Sequence, residues 1–113
     1  LPMNIRRRCK ATDLPEDTRR DIARVELLWS ALRAANVADG PWLFGARSMA
    51  DAFYLPVATR FRTYDVALSP AAQAYCESAL ADSAFREWEA RVLSEPAVRF
   101  SRAPIDALYE TRE

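Results

Sequence analysis

Few residues in this chain are of a type that does chemistry. It contains no histidine, and its two cysteines, Cys9 and Cys76, stand apart with no C-x-x-C pair. That excludes a Cys/His metal centre, and it excludes a nucleophile that depends on an imidazole base. Two glycines are too few for a glycine-rich phosphate loop. No pair of carboxylates is spaced for acid–base work on an obvious pocket. Cys9 sits among Arg6, Arg7, Arg8 and Lys10, cations that would lower a thiol pKa and make it reactive. The plainer reading of both cysteines is a small buried or surface thiol. The basic cluster itself reads as a solvated turn or an interdomain face. An anion or nucleic-acid contact would need an aromatic or second basic stripe beside it, and there is none.

Asp51 is the one carboxylate with a defined local setting. Ser48 precedes it by three places, and an apolar run follows: Ala52-Phe53-Tyr54-Leu55-Pro56-Val57. S-x-x-D before such a run is a capping box. The serine hydroxyl accepts from the Asp51 N–H, and the carboxylate accepts from the Ser48 N–H. In that role Ser48 and Asp51 are structural, so the sequence offers no catalytic residue and no metal ligand set.

The element that this box opens should span about Met49 to Tyr64. Ala50, Phe53, Tyr54, Val57, Phe61 and Tyr64 recur at helical spacing, with Leu55 and Ala58 widening the stripe. A helix this apolar belongs in the middle of a bundle. Pro56 removes one backbone hydrogen bond and should kink it. Upstream, Ile22, Val25, Trp29 and Leu32 give a core seam for a helix from about Pro15 to Ala35, with Pro15 in its first turn and Asn36 then Asp39-Gly40-Pro41 ending it. The turn Gly40-Pro41-Trp42-Leu43-Phe44-Gly45 carries bulky side chains that must pack between these two helices. Ser69-Pro70 starts a short helix to about Leu80, with Ala72, Tyr75, Cys76 and Ala79 inward. Asp82 or Ser83 caps another, with Phe85, Trp88 and Val92 inward and Glu95-Pro96 as its stop. The tail from Ala97 to Glu113 should lie extended over the bundle, with a last helical turn near Ile105 to Tyr109.

These elements make one all-α domain over residues 1–113, a helical bundle with a buried central helix, a lead-in over 1–12 and a tail over 97–113. Half of the residues are apolar and 28% are charged, which suits a globular chain with an ordinary surface. Sixteen basic and sixteen acidic residues cancel, so no whole-domain field favours nucleic acid or an anionic membrane. No apolar run reaches the roughly 18 residues of a membrane span, and no signal peptide is visible. Two unpatterned cysteines suit a reducing cytoplasm. A chain that begins at Leu1, with its first methionine at Met3, is expected to be a piece of something longer.

Several of these motifs, in order, resemble the C-terminal helical domain of the glutathione transferases. They are Arg20-Asp21-Ile22-Ala23-Arg24-Val25 with Trp29, Gly40-Pro41-Trp42-Leu43-Phe44-Gly45, Gly45-x-x-Ser48-x-Ala50-Asp51 with Pro56, Arg60-Phe61-Arg62-Thr63-Tyr64, and Phe85-x-x-Trp88. Together they cover roughly Asp13 to Val92. One departure is Arg47, which stands where the family usually has an apolar residue stapled onto the helix. The resemblance implies a thioredoxin-like domain upstream that activates the thiol of glutathione, the co-substrate, for attack on a small electrophile. It implies that the helical domain walls the electrophile's site and contributes to a homodimer. Tyr54, Arg60, Phe61 and Tyr64 are then the candidates for the substrate cleft. Two other readings share the scaffold: a non-catalytic protein–protein interaction module, and a glutathione-dependent isomerase of the maleylacetoacetate type.

Overall fold

In the computed structural model, which describes residues 1–10 and 12–97, local signals and helices coincide closely. Helix α1 spans Glu16–Asn36, α2 Met49–Thr63, α3 Pro70–Leu80 and α4 Ser83–Ser94, and the described residues contain no strand. Glu16 and Asp17 fill the first turn of α1, where the helix dipole favours acids. Pro15 sits one place earlier than expected, as the N-cap residue, its carbonyl accepting from Arg19 N at 3.0 Å. A short 3₁₀ turn over Val37–Asp39 unwinds α1 into Gly40, whose φ of 134° a side chain would not tolerate. Helix α2 runs on through Pro56. Ser69 and Pro70 open α3, and Asp82 caps α4 by accepting from Phe85 N at 3.2 Å. The expected tail, with its turn near Ile105 to Tyr109, lies outside the described residues apart from Ala97.

Trp29 of α1 holds the core together. It is fully buried, and its indole meets Tyr54, Phe61 and Tyr75 edge-on with ring centroids 5.6, 5.4 and 4.8 Å away. Such pairs contribute about 0.5–1.5 kcal/mol each beyond area burial. The backbone of α3 comes close to α1, α2 and α4, which the small buried side chains Ala72 and Ala79 allow. Its inward face, Ala72, Tyr75, Cys76 and Ala79, is the one expected.

Two faces differ from expectation. Phe53, placed on the inner stripe of α2, is 74% exposed, beside an equally open Met49. The inner arc is instead turned toward Asp51, Ala58, Thr59 and Thr63, with Phe61 at its edge. Periodicity counts threonine as an outward residue, but here each buried hydroxyl has a carbonyl to donate to. Thr59 Oγ1 donates to Pro56 O at 2.7 Å and Thr63 Oγ1 to Asn4 O at 2.8 Å. From Tyr54 to Thr63 no residue of α2 is exposed, so the helix is indeed enclosed over that length. On α4 Phe85 is buried, whereas Trp88 is 46% exposed.

The lead-in segment does more than the sequence reading assigned to it. Arg6, Arg8 and Lys10 of its basic cluster are exposed, as a solvated turn requires, but residues 1–10 also lie as a strap across α2 and α4. Tyr64 Oη donates to Pro2 O at 2.8 Å, and Cys9 N donates to Thr63 O at 2.7 Å. Arg6 donates to the carbonyls of Val92, Leu93 and Glu95 at 2.7, 3.3 and 2.6 Å, at the end of α4, where Val92 O also accepts from Glu95 N at 3.2 Å. A cation there also answers the negative end of the helix dipole.

Candidate functional site

Two places bring polar side chains into apolar surroundings. The first is the start of α2. Asp51 is 3% exposed, and its carboxylate accepts from four donors. Oδ2 takes Ser48 N at 2.8 Å, with Ser48 Oγ 3.4 Å away, and Oδ1 takes Leu43 N at 3.1 Å and Tyr75 Oη at 2.9 Å. Both halves of the capping box are in place, though unequally. The carboxylate half is the short bond, while the Asp51 N–H also reaches the Ser48 carbonyl at 3.1 Å. Burial, then the hydrogen bond to Asp51 and its negative charge, push the Tyr75 phenol far above its usual value and keep it a neutral donor.

Leu43 reaches Asp51 because the turn before α2 is pinned to the end of α1. Arg33 donates to Gly40 O at 2.7 Å and to Trp42 O, and Asn36 Nδ2 donates to Leu43 O at 3.2 Å. Leu43 itself is fully buried, Trp42 is half-buried and Phe44 is exposed. Arg47, the departure from the family's apolar staple, makes other contacts. Its guanidinium lies 5.8 Å from the Trp42 ring centroid and bonds Asp82 Oδ2 at 3.1 Å, tying the start of α2 to the cap of α4.

The second place is a groove of about 400 Å³ between α1 and α2, lined by Thr18, Asp21, Ile22 and Val25 on one side and Val57, Arg60 and Phe61 on the other, with Leu1 at its margin. Two of the four cleft candidates, Arg60 and Phe61, meet there. Tyr54 is half-buried against Trp29, and Tyr64 is buried with its hydroxyl on Pro2, so neither lines this groove. Ile22, Val25 and Val57 pack against the core as their helical spacing predicts and present their outer edges to the groove; nothing in the sequence marks Asp21 as lining it. For Val57 the available signal was that it lies one turn before Arg60. Arg60 has no hydrogen-bond or ion-pair partner among the described residues, and its Nε is buried without one.

A further cleft of about 330 Å³ separates α2 from α4, walled by Leu55, Pro56, Phe85 and Trp88 with Met3 and Arg47 at its edges. Beside it, Arg62 of α2 pairs with Glu89 of α4 and is thereby occupied.

Neither cysteine is exposed. Burial raises the Cys9 thiol pKa more than the nearby Arg7 lowers it, which overturns the reading of a thiol activated by its basic neighbours. Burial, reinforced by the charge of Glu77, lifts Cys76 from 9.0 to about 11. No group of three or more His, Cys, Asp or Glu among the described residues could hold a metal ion. No helix among them is long and apolar enough to cross a membrane. No family model, curated protein or solved structure was found to match the chain.

Proposed function

We propose that this chain is the substrate-side helical domain of a glutathione transferase, whose parent adds the glutathione thiolate to small electrophiles. The observation that carries the reading is the Ser48–Asp51 box. The residues on which the resemblance rests most heavily are also those that organise the start of α2, with Asp51 joining Ser48, Leu43 and Tyr75. The four-helix, all-α architecture is compatible with it. In this reading the groove at Arg60 and Phe61 is the wall of the electrophile's site. The thiol-activating group and the glutathione contacts belong to a thioredoxin-like domain upstream, and the parent is a homodimer in the cytoplasm.

A non-catalytic interaction module is the second reading, and one observation favours it. Met49 and Phe53 on α2 and Leu27 on α1 are each more than two-thirds exposed, a quantity of open apolar surface that a partner would cover. The isomerase reading differs from the first only in substrate.

Intact mass and N-terminal sequence of the native protein, followed by a glutathione-conjugation assay on it with a chloronitrobenzene, test the proposal. A longer protein that forms the thioether supports the transferase. A longer protein without a thioredoxin-like domain, or one that does not turn over, leaves the interaction module.

A further inference from the structure

We propose that the groove between α1 and α2 binds a small monoanionic amphiphile, its carboxylate on Arg60 and its apolar or aromatic body along Val25, Val57 and Phe61. Calling that ligand the electrophilic substrate rests on the glutathione transferase reading; the binding itself rests on the groove.

The argument starts from Arg60. A guanidinium is always charged and carries five N–H donors in a planar fork that matches a carboxylate. In the rest of this structure, arginines that reach half-buried positions are used. Arg33 donates to two turn carbonyls, and Arg62 pairs with Glu89. Arg60 is half-buried as well, and its Nε, like that of Arg62, is buried with no acceptor; what sets it apart is that no ion pair or hydrogen bond engages the rest of the group among the described residues. Its terminal N–H groups are not among the buried ones, and an incoming anion would give them a charge-assisted bond.

The surroundings define the rest of the ligand. Ile22, Val25, Val57 and Phe61 give an apolar wall on both helices, and a volume of about 400 Å³ falls in the range of small-molecule sites. The apolar walls take the body of the ligand, and a charge-assisted bond to the guanidinium fixes its carboxylate. Asp21, on the α1 side of the groove, is not within ion-pair distance of Arg60. It sets the charge count instead. A second negative group lying toward α1 would meet the Asp21 carboxylate, so monoanions are preferred to dianions.

The test is a titration of the 113-residue chain with 4-phenylbutyrate and with 4-phenylbutan-1-ol, followed by backbone amide shifts. The acid should bind roughly ten- to a hundredfold more tightly than the alcohol, with shifts at Val25, Val57 and Phe61. Arg60→Gln should erase that preference, weakening the acid far more than the alcohol, and Arg60→Lys should restore part of it. Asp21→Asn should narrow the gap between phenylbutyrate and a phenyl-substituted dicarboxylate. Equal affinity for acid and alcohol, shifts confined to the cleft by Trp88, or no saturable binding of the acid by about 10 mM would each overturn the proposal. The acid–alcohol comparison on the unmodified chain decides the matter even if Arg60→Gln unfolds. Failure here leaves the transferase to be judged by mass and conjugation. Failure of conjugation leaves an anion-binding groove that is not a substrate site.

Discussion

At the scale of single residues, Asp51 shows how a charge can be kept inside a small helical core. Its oxygens take two backbone N–H groups and a phenol, so most of its lost hydration is replaced. The consequence of deleting it is larger than for an ordinary cap. Asp51→Ala strands the N–H of Leu43 and the Tyr75 hydroxyl in the interior and should cost roughly 2–4 kcal/mol. Tyr75→Phe leaves Leu43 N on the same oxygen and should cost about 1 kcal/mol. Urea unfolding monitored by circular dichroism separates the two, and equal losses would mean that the phenol, not the box, carries the site. Cys76 makes a second prediction. Its folded pKa is raised to about 11, so the unfolded chain releases the thiol proton first as pH climbs. Stability is therefore intact below about pH 9 and falls between about 9 and 11, by on the order of 2 kcal/mol. Cys76→Ala creates a cavity but has no proton to lose. The stability gap between the native chain and this variant should narrow across that window in urea titrations at stepped pH.

At the scale of elements, the chain joins its helix ends to one another. Arg47 links the start of α2 to the cap of α4, and Arg33 and Asn36 link the end of α1 to the turn before α2. Arg6 closes the other end of α4 from 86 or more positions away in sequence. Without it the carbonyls of Leu93 and Glu95 must turn to water, while Val92 O keeps the N–H of Glu95. Arg6→Ala should cost about 1 kcal/mol and speed amide exchange in the last turn of α4 while leaving α3 protected. Uniform acceleration across all four helices would instead mean that Arg6 supports the whole bundle. Gly40 and Gly45 serve the same economy of connection: both have positive φ, and each packs where a Cβ would strike the other end of the turn.

At the scale of the whole molecule, apolar surface is divided unevenly. Trp29, Leu43 and Tyr75 are closed in, whereas Leu27, Met49 and Phe53 are open. A large side chain that touches little should be replaceable. Phe53→Gln should change the unfolding free energy by less than about 0.5 kcal/mol, while Leu43→Ala should remove roughly 2–5 kcal/mol. Thermal melts of the two variants check this, and a large loss at Phe53 would show that its face is covered in solution.

Much of this organisation was legible in the linear chain. Helix starts are local events, and a serine three places before an aspartate, a Ser-Pro pair and an aspartate before α4 each marked one within a residue or two. The inward face of α3 was equally plain, because alanine, tyrosine and cysteine recur there at a single helical phase. The phase of α2 was not. Its true inner arc includes two threonines whose burial depends on carbonyls at Pro56 and Asn4, and the second of these is brought there only by the folded strap. The strap itself was invisible for the same reason. Arg6 looks like any surface cation until α4 ends beside it. Arg60 was a cleft candidate only through the resemblance, since its type and spacing read as an ordinary surface arginine; the groove that it lines exists only when α1 supplies the opposite wall. Backbone chemistry and side-chain period act over a few residues, and they determined where the helices lie. Which buried polar group finds a partner, and which does not, is decided by residues far apart in sequence, and only the tertiary structure brings those together.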